Sequence, residues 1–183
     1  MAKDSIGLIE LTSIAAGFQT ADAMLKAAGV SLLLSRSICS GKYMVMVRGD
    51  VAAVEAAVAS GIAGTRFSVI DSFVIPNLHE TVFPALSGAT KVEALEALGV
   101  VESFSVASLI EGADAAVKAA NVQLIEIRLA MALGGKAFVT LTGNVAAVES
   151  AVAAAAQIVG SKGMLVNKVV IPSPRPELLN EMI

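Results

Sequence analysis

Apolar and polar positions along this chain fall into short blocks, and the series of blocks runs through twice. Ile6 to Leu11 is a mostly apolar run bounded by polar residues, which predicts a short strand. Phe18, Ala21, Leu25 and Ala28 then step by three, four and three, the spacing of one helix face; Ile110, Ala113, Val117 and Ala120 repeat that phase. Gly29 and Asn121 stand where a left-handed residue ends a helix. Leu32-Leu33-Leu34 and Leu124-Ile125 open a second strand, a glycine turn follows, and Tyr43 to Val47 and Ala137 to Leu141 form a third. Asp50 and Asn144 are suited to cap a second helix, with an apolar stripe at Val51, Val54 and Val58 or Val145, Val148 and Val152. Phe67 to Ile75 and Met164 to Ile171 supply a fourth strand, halted by Pro76 and Pro172.

The repetition extends to identity. Residues 7–38 laid on 99–130, a shift of 92, match at 13 of 32 positions, and 41–58 laid on 135–152, a shift of 94, match at 11 of 18. A unit of about 90 residues is too long for a solenoid repeat, so each copy is expected to be a domain with its own core. The predicted class is α+β: two tandem β-α-β-β-α-β copies with a short helical tail, ferredoxin-like, helices packed on an antiparallel sheet. The expected boundaries are 1–87 for the first domain, 88–98 for a linker and 99–183 for the second, with Lys91 to Leu98 helical. The copies differ most at Ser37-Ile38-Cys39-Ser40-Gly41 against Leu129 to Gly135, where the second has gained two residues.

Composition narrows the picture. Hydrophobic residues make up 56% and charged residues 16%, which excludes a disordered chain and suggests apolar surface buried between subunits. No charge-free run exceeds twelve residues, so no membrane-spanning helix is predicted. The start, Met1-Ala2-Lys3-Asp4, leads straight into the first strand without a signal-peptide pattern, and a cytoplasmic setting is expected. A net charge of −3, seven aromatics and no Lys/Arg cluster argue against nucleic-acid binding.

Cys39 is the only cysteine, so it has no partner for an internal disulfide. A lone cysteine is usually a small buried hydrophobe. This one instead lies in a turn among Ser37, Ser40 and Gly41, and its counterpart is Met131, so the thiol belongs to one copy only. Gly41, Gly134 and Gly135 suit tight turns and also let backbones approach closely. Glu10 and Glu102 recur with Arg36 and Arg128, and an ion pair between them is expected in each copy. Met44 and Met46 share one face of a strand and suit packing. His79 is the only histidine, poor material for a zinc site or a triad. Lys26 and Lys118 sit late in matching helices, where a cation suits the dipole. Neither a phosphate-binding glycine motif nor paired carboxylates stand apart from the repeat, which points away from an enzyme.

Several stretches together resemble the shell proteins of bacterial microcompartments, specifically the tandem-domain class that forms trimers shaped like hexamers. They are Gly7-Leu8-Ile9-Glu10, Ala21 to Ala28, Ser40-Gly41-Lys42, Arg48-Gly49-Asp50-Val51, and the Val-Ile-Pro strand ends at 74–76 and 170–172. The family's edge motif, Ile-Pro-Arg-Pro-His, reads Ile75-Pro76-Asn77-Leu78-His79 and Ile171-Pro172-Ser173-Pro174-Arg175, so its arginine is absent from both copies. Lys26 and Lys118 match the family's edge lysine, which implies lateral contact with other shell proteins. The loop from Ser37 to Lys42 looks like that of the iron–sulfur member from propanediol-utilisation shells. The resemblance therefore implies a homotrimer whose pore is lined by Ser37, Ile38, Ser40 and Gly41 with Met131, Ala132, Leu133, Gly134 and Gly135. It further implies that Cys39 is the metal ligand for one [4Fe–4S] cluster per trimer. An encapsulated or cytosolic redox enzyme would then be a partner. Two alternatives stay open: a tile with a metabolite pore and no cluster, or a trimeric regulator that senses a small ligand.

Overall fold

In each half of the chain four antiparallel strands form a sheet whose central strand pair is buried. The computed structural model describes residues 5–92, 94–130, 133–175 and 177–178. The elements run β1 (Ser5–Leu11), α1 (Ile14–Ala27), β2 (Ser31–Ile38), β3 (Lys42–Gly49), α2 (Val51–Thr65) and β4 (Val69–Ile75). A short helix α3 (Val82–Leu86) follows, then β5 (Ala97–Ser103), α4 (Val106–Ala119), β6 (Gln123–Arg128), β7 (Ala137–Gly143), α5 (Val145–Ser161) and β8 (Leu165–Pro172). The strand orders are β2-β3-β1-β4 and β6-β7-β5-β8, every pairing antiparallel, as the α+β reading requires. Two compact units result, Met1–Leu78 with Ala130–Gly135 and His79–Leu129 with Lys136–Ile183.

The first unit packs α1 and α2 on one sheet face, with Ala21, Met24, Val54, Ala57 and Val58 against Ile9, Leu11, Tyr43, Val45 and Val47. Gly7 explains the valine stripe: a Cβ there would lie 2.5 Å from Val58 Cγ2 and 2.8 Å from Val54 Cγ1. The helix thus seats two valines on bare backbone. Gly99 does the same under Val148 and Val152. The cap expectations hold, because Ala53 N–H donates to Asp50 Oδ1 at 2.8 Å and Ala147 N–H to Asn144 Oδ1 at 2.9 Å. Met44 and Met46 are fully buried, as their shared face suggests.

Other expectations are corrected. Gly29 and Asn121 do not take left-handed backbone. The chain leaves each helix through an extended Ala28 or Ala120, with a three-residue turn closed by Val30 N–H on Ala28 O and Val122 N–H on Ala120 O. Phe67 belongs to a short 3₁₀ turn before β4 and is fully exposed. The described part of residues 91–96 is not helical, and Ala97 and Leu98 are strand, paired with Gly143 and Thr142 on one side and Pro172 and Ile171 on the other. Sheet pairing on both sides overrides the local helix preference there. The first residue of each valine stripe, Val51 or Val145, is exposed, since it sits at the helix start beyond the sheet.

Candidate functional site

β2 ends at Ile38 and β3 begins at Lys42, so three residues must reverse the chain. They do it as a 3₁₀ turn, Cys39–Gly41, in which Ser40 stands at φ 65° and ψ 26° and Gly41 at φ 71°. Two successive left-handed residues make the reversal tight. The same pair of conformations recurs in the second copy, at Gly134 (φ 61°) and Gly135 (φ 86°). Glycine adopts this backbone freely, whereas a residue with a Cβ is held there at a cost of about 1–2 kcal/mol. Ser40 therefore carries local strain next to the thiol, at a position where the other copy has none.

The two loops lie together in the first unit. Cys39 N–H donates to Ala130 O at 2.6 Å, and a Cβ on Gly135 would stand 3.0 Å from Ser40 Oγ. Ala130 is fully buried, Cys39 is half-buried, and Gly134 is exposed with open space where a Cβ would be. The structure thus brings Ile38, Cys39, Ser40 and Gly41 beside Ala130 and Gly135, with Ser37 the preceding residue of β2 and Leu133 half-buried before Gly134. Met131 and Ala132 lie outside the described residues.

Lys42, the residue after the turn, reaches back to β1 and donates to Glu10 Oε1 at 2.9 Å; the Glu10 side chain is fully buried. The equivalent pair in the second copy is Lys136 to Glu102 Oε2 at 3.2 Å. These replace the expected pairings with Arg36 and Arg128. The strand order explains why: β3 lies between β2 and β1, so Arg36 stands two strands, about 10 Å, from Glu10. Lys42 is two residues along β3 from Met44, the residue opposite Glu10. Arg128 pairs instead with Glu126 at 2.7 Å. The lysine that anchors each loop was the residue missed, although its recurrence at 42 and 136 was visible.

Lys26 pairs with Asp22 at 2.6 Å across one helical turn, and Lys118 pairs likewise with Asp114. Lys26 is well exposed; Asp114 is buried and also accepts the His79 N–H at 2.8 Å. The His79 ring lies 2.9 Å from Thr81 Oγ1, a turn contact just before α3. Among the described residues no group of three or more His, Cys, Asp and Glu side chains converges as a metal site. One chain offers Cys39 alone, so any cluster on this thiol needs more than one copy. Also among the described residues, no helix is long and apolar enough to cross a membrane.

Comparisons with known proteins agree with this architecture. Residues 5–78 and 97–174 each match the BMC domain. The chain is 45% identical to the bacterial microcompartment shell protein PduT of Citrobacter freundii over 98% of its own length and 97% of that protein's. One copy's length, 84 residues, is 40% identical to the microcompartment shell protein PduA of the same organism, covering 45% of this chain and 90% of PduA. The crystal structure of a microcompartment protein from Desulfitobacterium hafniense DCB superposes with a TM-score of 0.85 at 53% identity, covering 98% of this chain and 99% of that one. This chain therefore belongs to the BMC-domain family, as a tandem-domain shell subunit of a bacterial microcompartment.

Proposed function

We propose that three copies of this chain close into a trimeric shell tile of pseudo-sixfold shape, and that the three Cys39 thiolates hold one [4Fe–4S] cluster on its axis. The observation that carries this reading is the Cys39 turn: a half-buried thiol in a loop of small residues, present in one copy of the repeat only. Threefold symmetry then brings three equivalent thiols to one axis. A cubane cluster is held by about four ligands, normally cysteines, so one iron would take a ligand other than Cys. Ser37, Ser40 and Gly41 beside the thiol are small, and Cys39 N–H is held by Ala130 O, which supports the reading. Bound there, the cluster would supply one-electron transfer across the shell, to or from an encapsulated or cytosolic redox enzyme.

Iron and acid-labile sulfide per trimer, with low-temperature magnetic resonance of the reduced protein, test the reading. About four irons per trimer are expected in the anaerobic wild type. Cys39→Ser should give a colourless, folded trimer, because this half-buried thiol is not part of the core. Equal iron in both proteins, or none in either, overturns the cluster and leaves a tile with a glycine-lined metabolite pore. Melting shifts with nucleotides or other small anions in place of array formation would favour a sensor instead. Lateral contact with other shell proteins is assigned to edges that include Lys26 and Lys118. Replacing both with Glu should abolish flat arrays seen by electron microscopy while leaving the trimer intact, and undiminished arrays would remove the lysines from the edge.

A further inference from the structure

The two copies of the repeat are not equally covered. In the second unit the outer side of α4 and β6 is buried: Ile110 and Leu124 are fully buried and Val117 is 8% exposed. At the equivalent positions of the first copy Phe18 is 65% exposed, and Leu25 and Leu32 are each 43% exposed. Of the predicted apolar face of α1, Phe18 and Leu25 therefore lie in solvent, while Ala21 joins Gly17, Thr20 and Met24 in the core. The Phe18 ring lies tilted at 42° to Tyr43, ring centroids 5.3 Å apart.

The cover on the second unit comes from the tail that follows the first repeat. α3 packs against β6 and α4, burying Val82 and Ala85 completely, and His79 N–H docks on the Asp114 carboxylate at the start of that tail. The sequence that follows the second repeat matches this tail at two of its anchoring positions, though Glu181 stands where Ala85 does. Counted from the strand-ending prolines Pro76 and Pro172, Arg175 takes the place of His79 and Leu178 the place of Val82. Yet Leu178 is 41% exposed, and Asp22, the counterpart of Asp114, has a 62% exposed side chain. Leu178 and the α1 face around Asp22 are thus both exposed.

We propose that the second tail, from Arg175 onward, docks on the α1–β2 face of a neighbouring copy of this chain, as α3 docks on α4 and β6. The inference rests on the trimeric assembly proposed above and specifies how its subunits are joined. The occupant is chosen by three features. The chain already contains one example of the contact; the sequence from Arg175 onward supplies apolar Leu178, Leu179, Met182 and Ile183; and the Arg175 cation would approach Asp22, whose carboxylate would accept the Arg175 N–H as Asp114 accepts that of His79. Passing a tail from each subunit to the next is a head-to-tail contact, and it closes into a ring when the rotation permits.

Cysteine pairs test this in the full-length chain with Cys39→Ser. Asp22→Cys with Arg175→Cys should oxidise to covalent two- and three-chain species on a non-reducing denaturing gel, lost on reduction. His79→Cys with Asp114→Cys is the internal control, forming a disulfide within one chain. If the control oxidises while the test pair stays at single-chain mass, tail exchange is wrong. Native mass of the same samples separates the two ideas: an intact trimer without the link overturns only the exchange, and a monomer overturns the trimer as well. Independently, Leu178→Glu should raise the protomer concentration for half-assembly by about tenfold or more, while Leu178→Met should leave it unchanged. Unaltered assembly of Leu178→Glu also overturns the docking.

Discussion

Lys42→Met is expected to destabilise the first unit far more than Lys136→Met destabilises the second, although the two lysines hold the same place in the repeat. Lys42 Nζ lies 2.9 Å from a Glu10 carboxylate with no exposed side-chain surface, and is itself only 17% exposed. Removing one member of a buried ion pair costs about 3–5 kcal/mol, because the remaining charge stays out of water. Glu10 keeps its other contacts in the variant, so a loss of about 3 kcal/mol is expected. Lys136 and Glu102 are 44% and 32% exposed at 3.2 Å, and water screens such a pair to about 0–1 kcal/mol. Urea unfolding at fixed protomer concentration, followed by far-ultraviolet circular dichroism, which reports on both units, measures both losses. Tyr43 is the only tyrosine and the chain has no tryptophan, so intrinsic fluorescence reports on the first unit, one residue from Lys42. Glu10→Gln added to Lys42→Met should restore most of the loss, since a neutral amide tolerates burial better than a carboxylate. Equal midpoint shifts for the two methionine variants, or no recovery in the double variant, would refute the argument.

Two further predictions concern backbone. Gly7→Ala and Gly99→Ala each place a Cβ within 2.5–2.9 Å of valine methyls of the helix above. Each should cost about 1–3 kcal/mol by overpacking, read as a lower denaturant midpoint with unchanged slope. Ser40→Gly should stabilise by up to about 1 kcal/mol by relieving the left-handed strain, whereas Gly41→Ala should destabilise by about 1–2 kcal/mol although its surroundings are open. Thermal melting of the two variants against wild type decides; the same sign for both would show that backbone conformation does not govern this turn.

What could be read from the sequence was what adjacent residues determine. Asp50 and Asn144 cap helices because the acceptor and the backbone N–H are three residues apart, and the strand and helix phases of both copies follow for the same reason. Misreadings arose where a distant strand decides. Lys91 to Leu98 looks helical locally, but Ala97 and Leu98 are claimed by β7 and β8. Glu10 seemed matched to Arg36 because both recur, yet strand order puts Lys42 nearer.

Phe18 and Leu25 show a third kind of gap. Their periodicity predicts a buried face, yet Phe18 and Leu25 are exposed and the helix buries Gly17, Thr20, Ala21 and Met24 instead; periodicity cannot say whether cover comes from the same chain. The repeat supplies the missing comparison, since Ile110 and Val117 are buried at the same positions. Positions alike in both copies, such as Gly7 and Gly99, follow from the fold that both must build. Positions that match in sequence pattern and differ in burial or chemistry, Phe18 against Ile110 and Cys39 against Met131, have no reason in the single domain. The trimer proposed above would supply one: a face exposed once per chain would meet another copy, and a thiol present once per chain would occur three times around an axis.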